Sequence, residues 1–118
     1  MNRLLLKAAF WAAVVLVGTL SLVPATELPA QVFNIWDKAQ HAGGFLLLAL
    51  LGGLAYQRPQ GKVLIGLLVY GALIEVAQSA TGWRNGDLFD LVADAVGVWL
   101  GALLLAMPLP WSQRSRPQ

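Results

Sequence analysis

Apolar residues in this chain are gathered into four long runs. The first, Leu4–Val23, contains a single charge, Lys7, near its start; the others cover about 39–56, 63–80 and 88–107. Each approaches the roughly 20 residues that a helix needs to cross a hydrocarbon layer about 30 Å thick. Lipid offers no partners to backbone N–H and C=O groups, so runs of this length should be helical. Proline and glycine mark the gaps: Pro24 and Pro29, Pro59 with Gly61, Gly82 with Gly86, and Pro108 with Pro110. The pattern predicts an all-α membrane protein, a four-transmembrane-helix bundle forming one domain over residues 1–118.

The first run admits a second reading as a cleaved signal peptide. Arg3 and Lys7 give it a basic start, and Ser21 and Ala25 are small residues near a possible cleavage point. Its apolar part is long for such a segment, which favours a retained span. Cleavage would leave three spans without changing the side that the later loops face.

Composition strengthens the membrane reading. Of 118 residues 58% are hydrophobic and 12% charged, whereas soluble domains carry about 25% charged residues. So little polar surface excludes most soluble globular classes, and the hydrophobicity excludes disorder. No cysteine is present, so neither a disulfide framework nor a thiolate metal site is available. A net charge of +2 does not point to nucleic acid. The basic residues do orient the spans. If these alternate, Arg3, Lys7, Arg58, Lys62, Arg114 and Arg116 fall on one side and only Lys38 and Arg84 on the other. Positive residues collect on the cytoplasmic side, so both termini are expected there. Trp36, Trp83 and Trp111 suit the interfacial aromatic belts.

The polar residues then gather at the outer membrane face. The second run opens with Asp37-Lys38-Ala39-Gln40-His41, the third ends with Glu75-Val76-Ala77-Gln78, and Arg84, Asp87, Asp90 and Asp94 follow. Helical spacing puts Asp37, His41 and Gly44 on one face, Gly71, Glu75 and Gln78 on another, and Asp87, Asp90, Asp94, Gly97 and Gly101 in one stripe. Gly97 and Gly101 form a Gly-x-x-x-Gly pair that permits close helix approach, and Gly52-Gly53 suggests the same. The acidic faces should therefore point into the bundle. Asp37, His41 and Gly44 also repeat the spacing of Asp90, Asp94 and Gly97, a pattern compatible with two related hairpins.

The string Asp37-Lys38-x-x-His41, Glu75-x-x-Gln78, Arg84, Asp87-x-x-Asp90-x-x-x-Asp94-x-x-Gly97 resembles the signature of VanZ-like membrane proteins. It extends from the second run to the end of the fourth, and Asp94 stands where that family more commonly has asparagine. The resemblance implies a small multi-pass protein of the bacterial inner (plasma) membrane connected with the cell envelope. The family takes its name from a protein of glycopeptide antibiotic resistance.

Chemistry leaves several roles open. As an enzyme on a membrane-embedded lipid-linked phosphate or glycan precursor, the chain would use His41, Glu75 and Asp90 as acid–base groups. Arg84 would clamp a phosphate or carboxylate through its planar fork. Asp37, Gln78, Asp87 and Asp94 complete the candidate binding set, with capping of the last helix the first role for Asp87. The carboxylates and imidazole also suit a divalent cation, so the cofactor stays open. A binding protein for an envelope precursor or glycopeptide-type ligand is the second reading. Ion or proton transport ranks lower, because Lys7 is the only charge in the inner halves of the spans. The plainest alternative is a cluster that only locks helix ends, with Arg84 on Asp87 or Asp90, His41 on Glu75, and Gln78 bonding across helices. Lys38 reads as an interface anchor. The expected partners are the lipid bilayer and a lipid-linked envelope ligand, and no nucleic acid; oligomeric state is not legible.

Overall fold

A computed structural model describes residues 2–23, 35–57, 61–82 and 87–107. Among these the chain forms four helices: α1 (Arg3–Leu22), α2 (Ile35–Ala55), α3 (Gly61–Thr81) and α4 (Leu88–Ala106). Each starts and stops within a few residues of the apolar run that announced it. α1 begins at Asn2, whose side-chain oxygen accepts the backbone N–H of Leu4 at 2.9 Å and so satisfies one of the orphan donors of a helix start. α3 ends at Gly82, whose φ of +79° is a left-handed conformation that glycine adopts without steric cost.

Three helices, α1, α3 and α4, are long and apolar enough to cross a membrane. Their outward faces carry large exposed apolar side chains, such as Val15 and Leu16, Ile65 and Val76, and Val92 and Trp99. Apolar cover this extensive is not left open to water in a soluble monomer, which makes the chain a multi-pass membrane protein. Thr19 and Ser21 return their hydroxyls to the carbonyls of Val15 and Val17, one turn back, so neither presents an unsatisfied donor.

α2 is as long as the others but opens with Asp37, Lys38, Gln40 and His41, which lower its apolar character. Packing supplies the reason it can carry them. It lies at the centre of the bundle, burying Phe45, Leu48, Ala49 and Ala55 completely against neighbours that include Phe10, Leu67, Ile74 and Val98. The interface of α2 with α4 is the most extensive of the molecule. Small residues set its closeness: a Cβ at Gly97 would collide with the carbonyl of Ala42, and one at Gly101 with Ala49 and the carbonyl of Leu46. Toward the far end, Gly52 admits Val63 and Phe10, and Gly53 admits Leu105. Both glycine pairs thus do what their spacing suggested. α2 and α4 run parallel, and their N-termini meet the C-termini of α1 and α3 at one end of the bundle.

Candidate functional site

The polar cluster forms at that end. Asp87 caps α4, accepting the N–H of Phe89 at 2.9 Å, while its own N–H donates to Glu75 Oε2 at 2.7 Å. That bond ties the start of α4 to the last turns of α3. The free carboxylate oxygen of Asp87 takes Lys38 Nζ at 3.1 Å, and the same ammonium reaches Asp90 Oδ1 at 3.2 Å. The bond from the Phe89 N–H, followed by the one from Lys38, holds the Asp87 carboxyl below its ordinary pKa of 3.8.

His41 lies one turn deeper. Its Nδ1 is 2.9 Å from Asp94 Oδ1, and its Nε2 is 3.8 Å from Asp90 Oδ2. An ionised carboxylate only accepts hydrogen bonds, so with Asp94 ionised Nδ1 must carry a proton. The spacing of Asp90 and Asp94, one helical turn apart, places one carboxylate at each imidazole nitrogen. Asp94 is completely enclosed and Asp90 nearly so. Gly71 makes room on the other side, because a Cβ there would stand 3.0 Å from Asp94 Oδ2.

Glu75 completes the group. Ligand atoms of His41, Glu75 and Asp94 all lie within 4.8 Å of one another, a donor set of one imidazole and two carboxylates from three helices. Oxygen-rich sites of this kind suit a hard divalent cation, and the imidazole adds affinity for zinc. Glu75 Oε1 and the Gln78 side-chain oxygen are buried and accept no hydrogen bond from any described group. Among the described residues four carboxylates, Glu75, Asp87, Asp90 and Asp94, thus face one ammonium, Lys38, leaving three excess negative charges that an imidazolium would reduce to two. Asp87 and Lys38 lie at the wet edge of the group, whereas the buried Asp90 and Asp94 call for a proton, a bound cation or penetrating water.

His41, Glu75, Asp87, Asp90 and Asp94 are therefore brought together as their helical faces suggested. Gln78 sits on the same face of α3 but turns its amide toward α1, donating to the carbonyl of Ser21 at 2.8 Å. Asp37 belongs to the first turn of α2, with its side chain outside the described residues, and Arg84 lies outside them altogether. Of the helix-locking scheme read from sequence, Gln78 does bond across helices, and its Arg84 pairings lie outside the described residues; the structure adds Asp94 as a hydrogen-bond partner of His41 and Lys38 as a cation on Asp87 and Asp90. Lys38 is the member that sequence reading passed over as an interface anchor. Its spacing of three from His41 on one helix face was the available signal. Comparison with protein-family models, curated proteins and solved structures finds no match for this chain.

Proposed function

We propose that this chain is a VanZ-like protein of the bacterial inner membrane. In this reading all four helices span, both termini are cytoplasmic, and the cluster faces outward to bind or act on a lipid-linked envelope phosphate. The observation that carries the reading is His41 set between Asp94 and Asp90 with Glu75 within reach. A buried imidazole oriented through Nδ1 by one carboxylate is a competent proton acceptor or donor at its other nitrogen. Asp94 orients, Asp90 and Glu75 share the proton, and Lys38 holds Asp90 in place. Arg84, three residues before Asp87 in the sequence, and Asp37 would meet the phosphate and polar head of the ligand. Helix locking alone is a poor explanation, since interhelical hydrogen bonds in membranes average about 0.6 kcal/mol and buried ionisable groups cost more than that to insert. It describes Gln78 better than it describes His41.

The deciding experiment uses the full chain in lipid nanodiscs with a labelled polyprenyl phosphate. Wild type is expected to retain the label, and His41→Gln, Glu75→Gln and Asp90→Asn to weaken retention at least about tenfold, the size of one lost charge-assisted contact, at unchanged membrane levels. Equal retention by all four proteins would refute the reading. Loss of all three variants from the membrane would instead assign the cluster to helix locking. Release of free phosphate or a modified lipid by wild type alone would establish turnover. A divalent cation on His41, Glu75 and Asp94 is the second reading, favoured by their mutual distances; metal analysis of wild type against Glu75→Gln separates it.

A further inference from the structure

A groove of about 530 Å³ opens between α1 and α3 at the end of the bundle away from His41. Its walls are Trp11 and Val14 from α1 and Leu67, Tyr70 and Leu73 from α3, with Tyr56 closing one end. The polar atoms of these aromatic walls are turned to protein partners: Trp11 Nε1–H donates to the Tyr56 hydroxyl at 3.0 Å, and the Tyr70 hydroxyl donates to the carbonyl of Val14. What the groove presents is hydrocarbon. Its volume falls within the roughly 300–1,000 Å³ of small-molecule sites. Gly66 lines it, and a Cβ there would meet nothing within 4 Å.

The mouth is cationic. Lys62 is part of the lining, and Lys7 Nζ lies 5.1 Å from the ring centroid of Tyr56. Among the described residues the acidic side chains, Glu75, Asp87, Asp90 and Asp94, all belong to the opposite end. Two ammonium groups at the lip of an apolar slot between two membrane-crossing helices complement one kind of molecule, a hydrocarbon chain ending in an anion. Basic pockets between transmembrane helices recognise anionic lipid headgroups in the same way. We infer that this groove holds an acyl chain of an anionic phospholipid, with its phosphate at Lys62 and Lys7. The inference is independent of the His41 cluster and of any activity there.

Native mass spectrometry of the full chain, from micelles holding equal phosphatidylglycerol and phosphatidylcholine, tests it. Wild type is expected to keep one phosphatidylglycerol in preference to phosphatidylcholine. Lys62→Gln and Lys7→Gln should each reduce that preference about fivefold, the effect of one basic residue near an anionic lipid surface. Gly66→Phe should displace both lipids without altering helical content, since its ring enters open space. Equal retention of the two lipids would overturn the inference, as would preference unchanged in both lysine variants. A dimer mass that Gly66→Phe abolishes, with no lipid retained, would assign the groove to a second copy of the chain and overturn it equally.

Discussion

Asp94 is the residue with the least access to water in the cluster and a hydrogen bond to its only histidine. Removing one partner of a buried, bonded pair leaves the other exposed to an apolar environment, at a cost of about 3–5 kcal/mol. Asp94→Ala should therefore lower the melting temperature in detergent far more than Asp94→Asn, which keeps an acceptor at Nδ1. Equal losses would show that the charge of Asp94, and not its hydrogen bond, matters to stability. Asp87 behaves differently because it is solvent-accessible. Its folded pKa is depressed, first by the Phe89 N–H and then by Lys38. The resulting stabilisation is complete above the ordinary value of 3.8 and is lost as pH falls through the lower folded value. Asp87→Asn keeps a capping oxygen but cannot titrate. Below pH 3.8 wild type should lose stability more steeply than Asp87→Asn in acid-unfolding curves, and parallel curves would deny the carboxylate this role.

The elements themselves were largely legible. Runs at 4–23, 63–80 and 88–107 correspond to Arg3–Leu22, Gly61–Thr81 and Leu88–Ala106, because a lipid-facing helix declares itself by apolar length. The run at 39–56 understated α2, which starts at Ile35. Apolar character marks where a helix meets hydrocarbon, and the polar first turns of α2 continue the same backbone ladder into the cluster. Close approach was legible too, in glycines at helical spacing. A direct comparison tests that cause. Gly97→Ala places a methyl group against the Ala42 carbonyl, backbone that cannot step aside, and should cost about 1–3 kcal/mol as overpacking does. Gly43, four residues before Leu47 on an open face, meets nothing within 4 Å. Gly43→Ala should be neutral or raise stability by up to about 1 kcal/mol through helix propensity. Thermal unfolding of both variants in one detergent reads the contrast, and equal shifts would remove Gly97 from the interface argument.

At the scale of the molecule, sequence located the cluster but not its wiring. Periodicity specifies which side chains share a face, whereas the rotation of each helix about its axis is set by packing. Thus the stripe of Asp90 and Asp94 could be drawn from spacing, yet the contact of Asp94 with His41 depends on Gly97 letting α4 sink against Ala42. The bond from Gln78 to Ser21 was hidden for another reason: its acceptor is a backbone carbonyl near the end of α1, where helix carbonyls lack intrahelical partners whatever the residue. What joins these details is polarity along the bundle. Among the described residues the acids occupy one end, while Lys7 and Lys62 occupy the other. Positive residues retained in the cytoplasm would point the His41 end outward. The absence of cysteine makes this directly measurable. Gly61→Cys and Ala80→Cys, both exposed on α3, lie about 28 Å apart along the helix. In intact cells a membrane-impermeant maleimide should label the cysteine at position 80, and the one at 61 only after permeabilisation. The reverse pattern would turn the cluster toward the cytoplasm and remove an extracytoplasmic ligand from consideration, while labelling of both from one side would mean that α3 does not cross.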